Sequence, residues 1–190
     1  MRCMLGVLIS LVALGAQRSE ESPFNMQAVF LNRTAMRGGC SVTNSQQFRN
    51  RAYRFRGWMP SEAPLVLRDG KALTLNQLGK PEWETELEQH SVVTVGAKAA
   101  AMLRFFGNHL GGSGSWGIVL IGTCSARQLD VVFEADIEGL TEVAIGTDEV
   151  LVLKYFVWSK ADAHCCPSGK AEDHYRWDRP RGRFVRVATR

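Results

Sequence analysis

The chain has 190 residues, of which 45% are hydrophobic and 22% charged, and its formal net charge is +4. A chain of this length and apolar content can bury one sizeable core, so it predicts a single domain that needs no metal or disulfide merely to fold. The positive surplus is concentrated in residues 154–190, which hold nine basic and four acidic residues. This surplus is too small to indicate a nucleic-acid-binding protein.

The N-terminus has the three parts of a secretory signal peptide. Arg2 supplies a positive charge, residues 4–14 are apolar, and Leu14-Gly15-Ala16 ends in small residues that suit signal-peptidase cleavage. The apolar stretch of eleven residues is too short to cross a membrane, because a helix needs about 20 residues to span the hydrocarbon core. The sequence therefore predicts an exported protein, periplasmic or secreted, with no transmembrane anchor after cleavage. The predicted parts are a signal peptide over 1–16, a flexible tether over 17–24 and a globular domain over 25–190.

Aromatic and arginine residues are interleaved between Phe48 and Phe55. The pattern is typical of a half-buried strand with aromatic residues toward the core and arginines toward water. A surface that stacks bases or binds a polyanion is the alternative. Farther along, Asp69-Gly70 predicts a tight hairpin turn between residues 65–67 and 71–75, because both turn positions favour positive φ.

Two later segments each allow two interpretations. Residues 79–89 carry glutamates at every second position, which suits an edge strand, whereas Pro81 suits the first turn of a short helix. In either case we expect these glutamates to be solvated and structural. Residues 92–106 contain a helix-favouring stretch from Ala97 to Ala101 and end in an apolar run, and we favour a buried strand.

The rest of the chain predicts short strands joined by Gly and Asp turns. The glycine-rich segment 110–116 lacks the Lys-Ser or Lys-Thr of a phosphate-binding loop and precedes a strand, so it predicts a hairpin loop. Strands are predicted over 129–135, 140–145, 150–158 and 174–177. Their spacing predicts an α+β, β-rich fold, mainly an antiparallel sheet or sandwich with few short helices.

Four cysteines follow the predicted leader: Cys40, Cys124, Cys165 and Cys166. An even number in an oxidising compartment predicts disulfides, and four cysteines allow three two-bridge connectivities. A bridge between Cys165 and Cys166 is sterically awkward, because adjacent Cα atoms lie about 3.8 Å apart and disulfides usually need more than about 4.4 Å. We therefore expect each of these two to pair elsewhere, with Cys40 and Cys124 as the available partners.

The loop that joins the last two of these strands also suggests a metal site. His164, Cys165, Cys166 and His174 offer thiolate and imidazole ligands. Adjacent cysteines rarely bind one ion without strain, however, and no C-x-x-C spacing is present. The sequence therefore predicts no cofactor and no metal, with a metal-binding site in this loop as the alternative.

A hydrolase triad can also be assembled on paper. It would use Ser113 or Ser115 with His109 and an acid elsewhere in the chain. The chain has no G-x-S-x-G elbow to support it. The sequence therefore predicts no catalytic residues, and the alternative from a different class is a metal-binding or hydrolytic periplasmic enzyme that uses the His164-Cys165-Cys166 loop.

Five short segments, taken in order, carry a resemblance to a known family. They are NRAY at 50–53, LRDG at 67–70, GGSGSW at 111–116, CCPS at 165–168 and YRW at 175–177. In this order they resemble the bacterial envelope proteins that include the mycobacterial LppP/LprE lipoproteins, most closely over residues 97–187. The resemblance implies a cell-envelope location and a small α+β or β-rich domain, and it supplies no activity or catalytic residues. Those lipoproteins have a cysteine at the end of the leader, where this chain has Ala16-Gln17, which implies a soluble relative.

These observations lead to one functional expectation. We expect an exported, non-enzymatic binding or accessory protein of the cell envelope or periplasm, stabilised by disulfides. Its partner would be an anionic envelope component or another protein, and not a nucleic acid.

Overall fold

The computed structural model describes residues 39–55, 64–112, 115–163 and 166–187. These residues form one short helix and eleven strands. In chain order the elements are α1 Ser45–Arg49, β1 Ala52–Tyr53, β2 Leu65–Val66, β3 Lys71–Leu75, β4 Pro81–Val95, β5 Lys98–His109, β6 Ser115–Ser125, β7 Gln128–Glu138, β8 Leu140–Ile145, β9 Val150–Val157, β10 Gly169–Asp178 and β11 Arg183–Val187. The predicted tether and leader lie outside the described residues.

The strands form two large antiparallel sheets and one small one. The central sheet has five strands in the order β3-β4-β5-β6-β7, and the outer sheet has four in the order β8-β9-β10-β11. The β1-β2 pair, with α1, makes an N-terminal layer. The prediction of a mainly antiparallel, β-rich fold is confirmed. The α+β label is only weakly supported, because α1 is the one helix in the described part of the chain and has five residues.

The chain passes from the central sheet to the outer sheet at Gly139, the single residue between β7 and β8. Its backbone φ is +69°, a conformation that residues other than glycine rarely adopt. A Cβ atom there would also lie 2.8 Å from the ring of Trp158. Glycine therefore lets the chain turn sharply while Trp158 packs over the connection.

Both faces of the central sheet are covered. One face packs on the outer sheet through the inter-sheet core, which includes Met102, Val119, Phe133, Leu153 and Phe184. The opposite face packs on the N-terminal layer through a second core, which includes Phe48, Tyr53, Leu103, Phe105 and Leu120. Strands that are buried on both faces carry near-continuous apolar runs, which explains the sequence of β5 and β6.

Two turns decide how the uncertain segments fold. Asp69 and Gly70 have φ values of 52° and 85°, which confirms the predicted hairpin turn. Gly96 and Ala97 have φ values of 55° and 66° and divide residues 92–106 between β4 and β5. The preferred strand interpretation of that segment is therefore confirmed, with a tight turn inside it.

The segment from Phe48 to Phe55 does not form the single strand that its pattern predicted. Phe48 lies in α1, whereas Tyr53 lies in β1, and both side chains are fully buried. The Tyr53 hydroxyl donates a hydrogen bond to the Phe48 carbonyl oxygen at 2.7 Å, and Arg51 lies over the Tyr53 ring at 5.0 Å. Burying both aromatic residues on the same sheet face requires the chain to bend between them, so the simple alternation fails.

Residues 81–89 are strand, not helix, because they belong to the 15-residue strand β4. This strand lies between β3 and β5, so the edge of the sheet is β3. Thr85 and Leu87 are buried toward the N-terminal core, and the glutamates occupy the opposite face. Glu86 pairs with Lys71 at 3.4 Å and Glu88 with Arg104 at 3.2 Å.

The cysteine pairing differs from the expectation. Cys40 forms a disulfide with Cys124, so neither is available to Cys165 or Cys166, and the expected pairing across to that loop is wrong. The Cys40 backbone N–H also donates to Ala126 O at 3.0 Å. These contacts bring the start of the N-terminal layer beside the end of β6, a proximity that sequence spacing did not reveal.

Removing the Cys40–Cys124 disulfide should lower stability. The bridge spans 84 residues, and closing a loop of this size stabilises a protein by roughly 2–5 kcal/mol, largely by restricting the unfolded chain. We expect the Cys40→Ser/Cys124→Ser variant to lose this amount in urea unfolding. Adding a reductant should lower the unfolding midpoint of the wild type but not that of the double variant; equal midpoints for the two oxidised proteins would contradict the assignment.

Candidate functional site

Within the described ranges, the outer sheet has one buried face and one face that no other element covers. Leu151, Leu153, Asp173 and Tyr175 are buried toward the central sheet. Because side chains alternate along a strand, their neighbours in sequence point away from the core. We call this free surface the outer face; it carries Glu142 on β8, Val152, Lys154 and Phe156 on β9, Lys170, Glu172, His174 and Arg176 on β10, and Arg183 on β11.

Charged side chains pair across the middle of the outer face. Lys154 lies between Glu142 and Glu172 in the strand register. Its Nζ donates to Glu142 Oε2 at 3.0 Å, and this hydrogen bond raises the pKa of Lys154. Glu172 Oε1 lies 2.7 Å from His174 Nε2. Exposed pairs of this kind add little stability, so they mainly set the charge pattern that a ligand would meet.

A shallow open depression of about 580 Å³ lies at one end of the outer face. Its lining includes Thr141, Glu142, Lys154, Phe156, Lys170 and Glu172. The ammonium group of Lys170 lies 5.9 Å from the centre of the Phe156 ring. The depression thus combines an aromatic surface with two lysines and two glutamates, groups that can contact both the flat and the charged parts of a ligand.

The loop that bears the cysteine pair adjoins this depression. It joins Val157 at the end of β9 to Gly169 at the start of β10, and these two residues face each other in the register. Asp162 holds the loop closed: its carboxylate accepts hydrogen bonds from the backbone N–H of Ser159 at 2.7 Å and of Ser168 at 2.9 Å. These backbone bonds lower the pKa of Asp162 to about 2. Cys166 is exposed in this loop, and His164 and Cys165 lie outside the described residues.

The structure separates His174 from the cysteine loop. His174 lies six residues along β10 from Ser168, a distance of roughly 20 Å at the usual rise of a strand. Within the described ranges, no group of three or more His, Cys, Asp or Glu residues is arranged to bind a metal ion. Because His164 and Cys165 are outside those ranges, the metal alternative remains a prediction.

The structure describes two of the three residues named for the hydrolase alternative, His109 and Ser115. His109, at the end of β5, packs edge-to-face on Trp83 with ring centroids 4.8 Å apart. Ser115 begins β6, and Ser113 lies outside the described residues. His109 therefore has an aromatic neighbour that accounts for its position without a catalytic role.

A buried carboxylate lies behind the outer face, paired with a partly exposed arginine. Asp173 is 5% exposed and accepts a charge-assisted hydrogen bond from Arg186. The Tyr175 hydroxyl donates to the same carboxylate at 3.2 Å, and burial together with Asp173 raises the pKa of Tyr175. Nothing in the sequence pattern marks Asp173, and only the strand register shows that it points inward. The pair joins β10 to β11 beneath the outer face.

A second buried acid was not marked by any sequence motif. Asp136 on β7 lies beside Ile118 of β6, and its Oδ1 is buried without a hydrogen bond to any described residue. Burial, followed by the negative charge of Glu134, raises the pKa of Asp136 to about 7. Asp136 lies just beyond the predicted strand 129–135, and only the strand register places it directly opposite the buried Ile118.

The raised pKa of Asp136 predicts that part of the stability depends on pH. The folded protein binds this proton up to about pH 7, whereas the unfolded chain releases it near its ordinary pKa, so the free energy of unfolding falls as pH rises from about 4 to 7. In the Asp136→Asn variant this fall should be smaller by on the order of 2–4 kcal/mol. Urea unfolding of both proteins across this pH range measures the effect; parallel pH profiles would show that Asp136 is not responsible.

Comparison with known proteins gave no match of any of the three kinds sought: no protein-family model, no curated protein and no solved structure.

Proposed function

We propose that this protein is an exported, non-enzymatic accessory protein of the cell envelope that binds an anionic polymer on its outer face. The observation that carries the proposal is the open outer face itself, with an aromatic and lysine-lined depression at one end. Lys170 and Arg176 are exposed and make no ion pair with any described carboxylate, so their charges are available to a ligand.

The spacing of these cations favours a polymer over a small molecule. Lys170 and Arg176 lie on the same strand, six residues apart, which corresponds to roughly 20 Å. A chain of repeated negative groups can contact both ends of such a surface, whereas a small anion contacts one. Glu142 and Glu172 reduce the net positive charge of the outer face. We therefore expect a modest affinity for the polymer that weakens as the salt concentration rises.

The proposed compartment is supported by the N-terminal sequence and by the disulfide. The predicted leader ends at Ala16, and a disulfide such as Cys40–Cys124 is more common in oxidising compartments. The helix in the described part of the chain is too short to span a membrane. The resemblance to LppP/LprE proteins agrees with an envelope location, and Ala16-Gln17 in place of a lipidated cysteine favours a soluble periplasmic or secreted form.

A metal-binding or hydrolytic enzyme is the competing proposal. It depends on His164 and Cys165 together with the exposed Cys166, in the loop that Asp162 closes. Stoichiometric metal in the purified protein would favour this competitor and count against a purely accessory role.

The ligand proposal is tested by binding to polygalacturonate, a carboxylated polysaccharide, with neutral dextran as the reference. We expect binding to polygalacturonate alone, weakening as salt rises. The Lys170→Glu/Arg176→Glu variant should bind about tenfold more weakly, since it reverses two charges on the outer face. Lys80→Glu/Arg68→Glu is the matched control, because it also reverses two charges and both residues are exposed in the turns that flank β3. If that control loses as much affinity as the outer-face variant, net charge and not the outer face governs binding.

The export proposal has a separate test. The full chain, expressed in a bacterial host with a C-terminal tag, should be recovered from the periplasm or medium with its N-terminus at Gln17, since signal peptidase cleaves after small residues. N-terminal sequencing makes the measurement, and a leucine in place of Ala16 should block cleavage. Recovery of the wild-type chain from the cytoplasm with Met1 intact would contradict export.

A further inference from the structure

Three edges of the two large sheets, those of β8, β7 and β3, are not equally protected. The β8 edge is covered by Arg104, whose guanidinium donates to the carbonyl oxygens of Leu140 and Thr141, each at 3.2 Å. On β7, the opposite edge of the central sheet, every residue is buried or half-buried. The β3 edge differs, because three of its five residues are exposed.

The β3 edge also carries an apolar patch. Leu73 is 55% exposed and Leu75 58%, and Leu78 in the following turn is 80% exposed. These make up three of the seven large hydrophobic residues that are exposed in the described ranges. Beyond the Arg68–Lys71 bridge, no described strand pairs with the free side of β3. Proline, which often protects such edges, is absent from this strand.

Acidic side chains lie on the neighbouring strand β4, on the same face of the sheet as Leu73. Leu73 is directly opposite Glu84 of β4 in the register. A bulge in β4 places Glu82 as the extra residue beside the Thr74–Leu75 step. Neither Glu82 nor Glu84 forms an ion pair with a described residue, whereas Glu86 pairs with Lys71. The face therefore presents leucines at the edge and unneutralised carboxylates behind them.

From this arrangement we propose that β3 binds an extended, basic segment of a partner protein by strand addition. The partner strand would continue the central sheet through backbone hydrogen bonds, as in other edge-strand complexes. It would lie roughly 10 Å from β4, which is two strand spacings. A lysine or arginine facing Leu73 would lay its alkyl stem over the leucine and bring its charged end toward Glu84.

The same geometry specifies a pattern for the partner. A second basic residue, two positions along, would face Leu75 and approach Glu82, because alternate residues of a strand share a face. The partner segment should therefore contain basic residues two apart, with small or β-branched residues between them. This surface is on a different sheet from the outer face, so the inference is independent of the proposed polymer binding.

A labelled peptide, Gly-Arg-Val-Arg-Val-Arg-Gly, tests the inference by fluorescence anisotropy against the full chain. We expect it to bind at least about tenfold more tightly than the permuted peptide Gly-Arg-Arg-Val-Val-Arg-Gly, which has the same composition and charge but no two arginines two positions apart. Two further peptides test the backbone hydrogen bonds, one N-methylated at the valines and the other at the arginines. Because alternate residues of a strand direct their N–H groups to opposite sides, one of these two peptides should lose binding. Amide hydrogen exchange at Leu73–Leu75 should slow when the unmodified peptide is added.

Variants of the protein separate charge from strand pairing. Glu82→Gln/Glu84→Gln should weaken peptide binding by about tenfold, whereas Glu142→Gln, on the outer sheet, should leave it unchanged. The substituted residues are surface carboxylates, so circular dichroism should show the fold intact. Equal binding of the ordered and permuted peptides, or of both N-methylated forms, would overturn the proposal in favour of non-specific charge attraction. Self-association that is lost in a Leu73→Asp variant would overturn it in favour of a second copy at this edge.

Discussion

The central sheet must be covered on both faces, because β5 and β6 carry apolar side chains on both. Leu103 and Leu120 point toward the N-terminal layer, while Met102 and Val119 point toward the outer sheet. A one-sided sheet would leave half of these residues in water, at a cost of roughly 1.5–3 kcal/mol for each large side chain. The three-layer arrangement follows from this constraint. The Cys40–Cys124 disulfide secures one layer, and the contacts of Arg104 with Leu140 and Thr141 help to secure the other.

The outer sheet has the opposite requirement, and that is why it provides the candidate site. It buries only one face, so its alternate side chains are free to be charged or aromatic without loss of core contacts. The inward face still includes the Asp173–Arg186 pair, which satisfies a buried carboxylate and joins β10 to β11. Gly117 helps the two sheets to approach, since a Cβ atom there would lie 2.5 Å from Leu140. The outer face, the proposed ligand surface, therefore lies on a sheet whose position is fixed by the packing of its opposite face against the central sheet.

The protein exposes two surfaces of different character, on different sheets. The outer face combines cations and an aromatic residue over the length of β10, whereas the β3 edge combines leucines with glutamates. The first matches a negatively charged chain, and the second matches a positively charged strand. Because each surface depends on its own sheet, the two proposed functions can be separated by substitutions that leave the shared core untouched.

Much of the fold was predictable from local pattern. Alternation and turn residues predicted most strands between Leu65 and Trp177, the Asp69-Gly70 hairpin and the antiparallel class, because these depend on neighbours in sequence. They left residues 79–89 open between strand and helix and did not mark β11. Local pattern failed between Phe48 and Phe55, where two aromatic residues reach the same core only if the chain bends. It also could not pair Cys40 with Cys124, show that Asp173 points inward or that Asp136 Oδ1 is buried, or show that β3, and not β4, forms the sheet edge. The sequence by itself therefore determined the strands and their turns, while tertiary structure alone decided which side chains meet, because layer packing joins residues far apart in the chain.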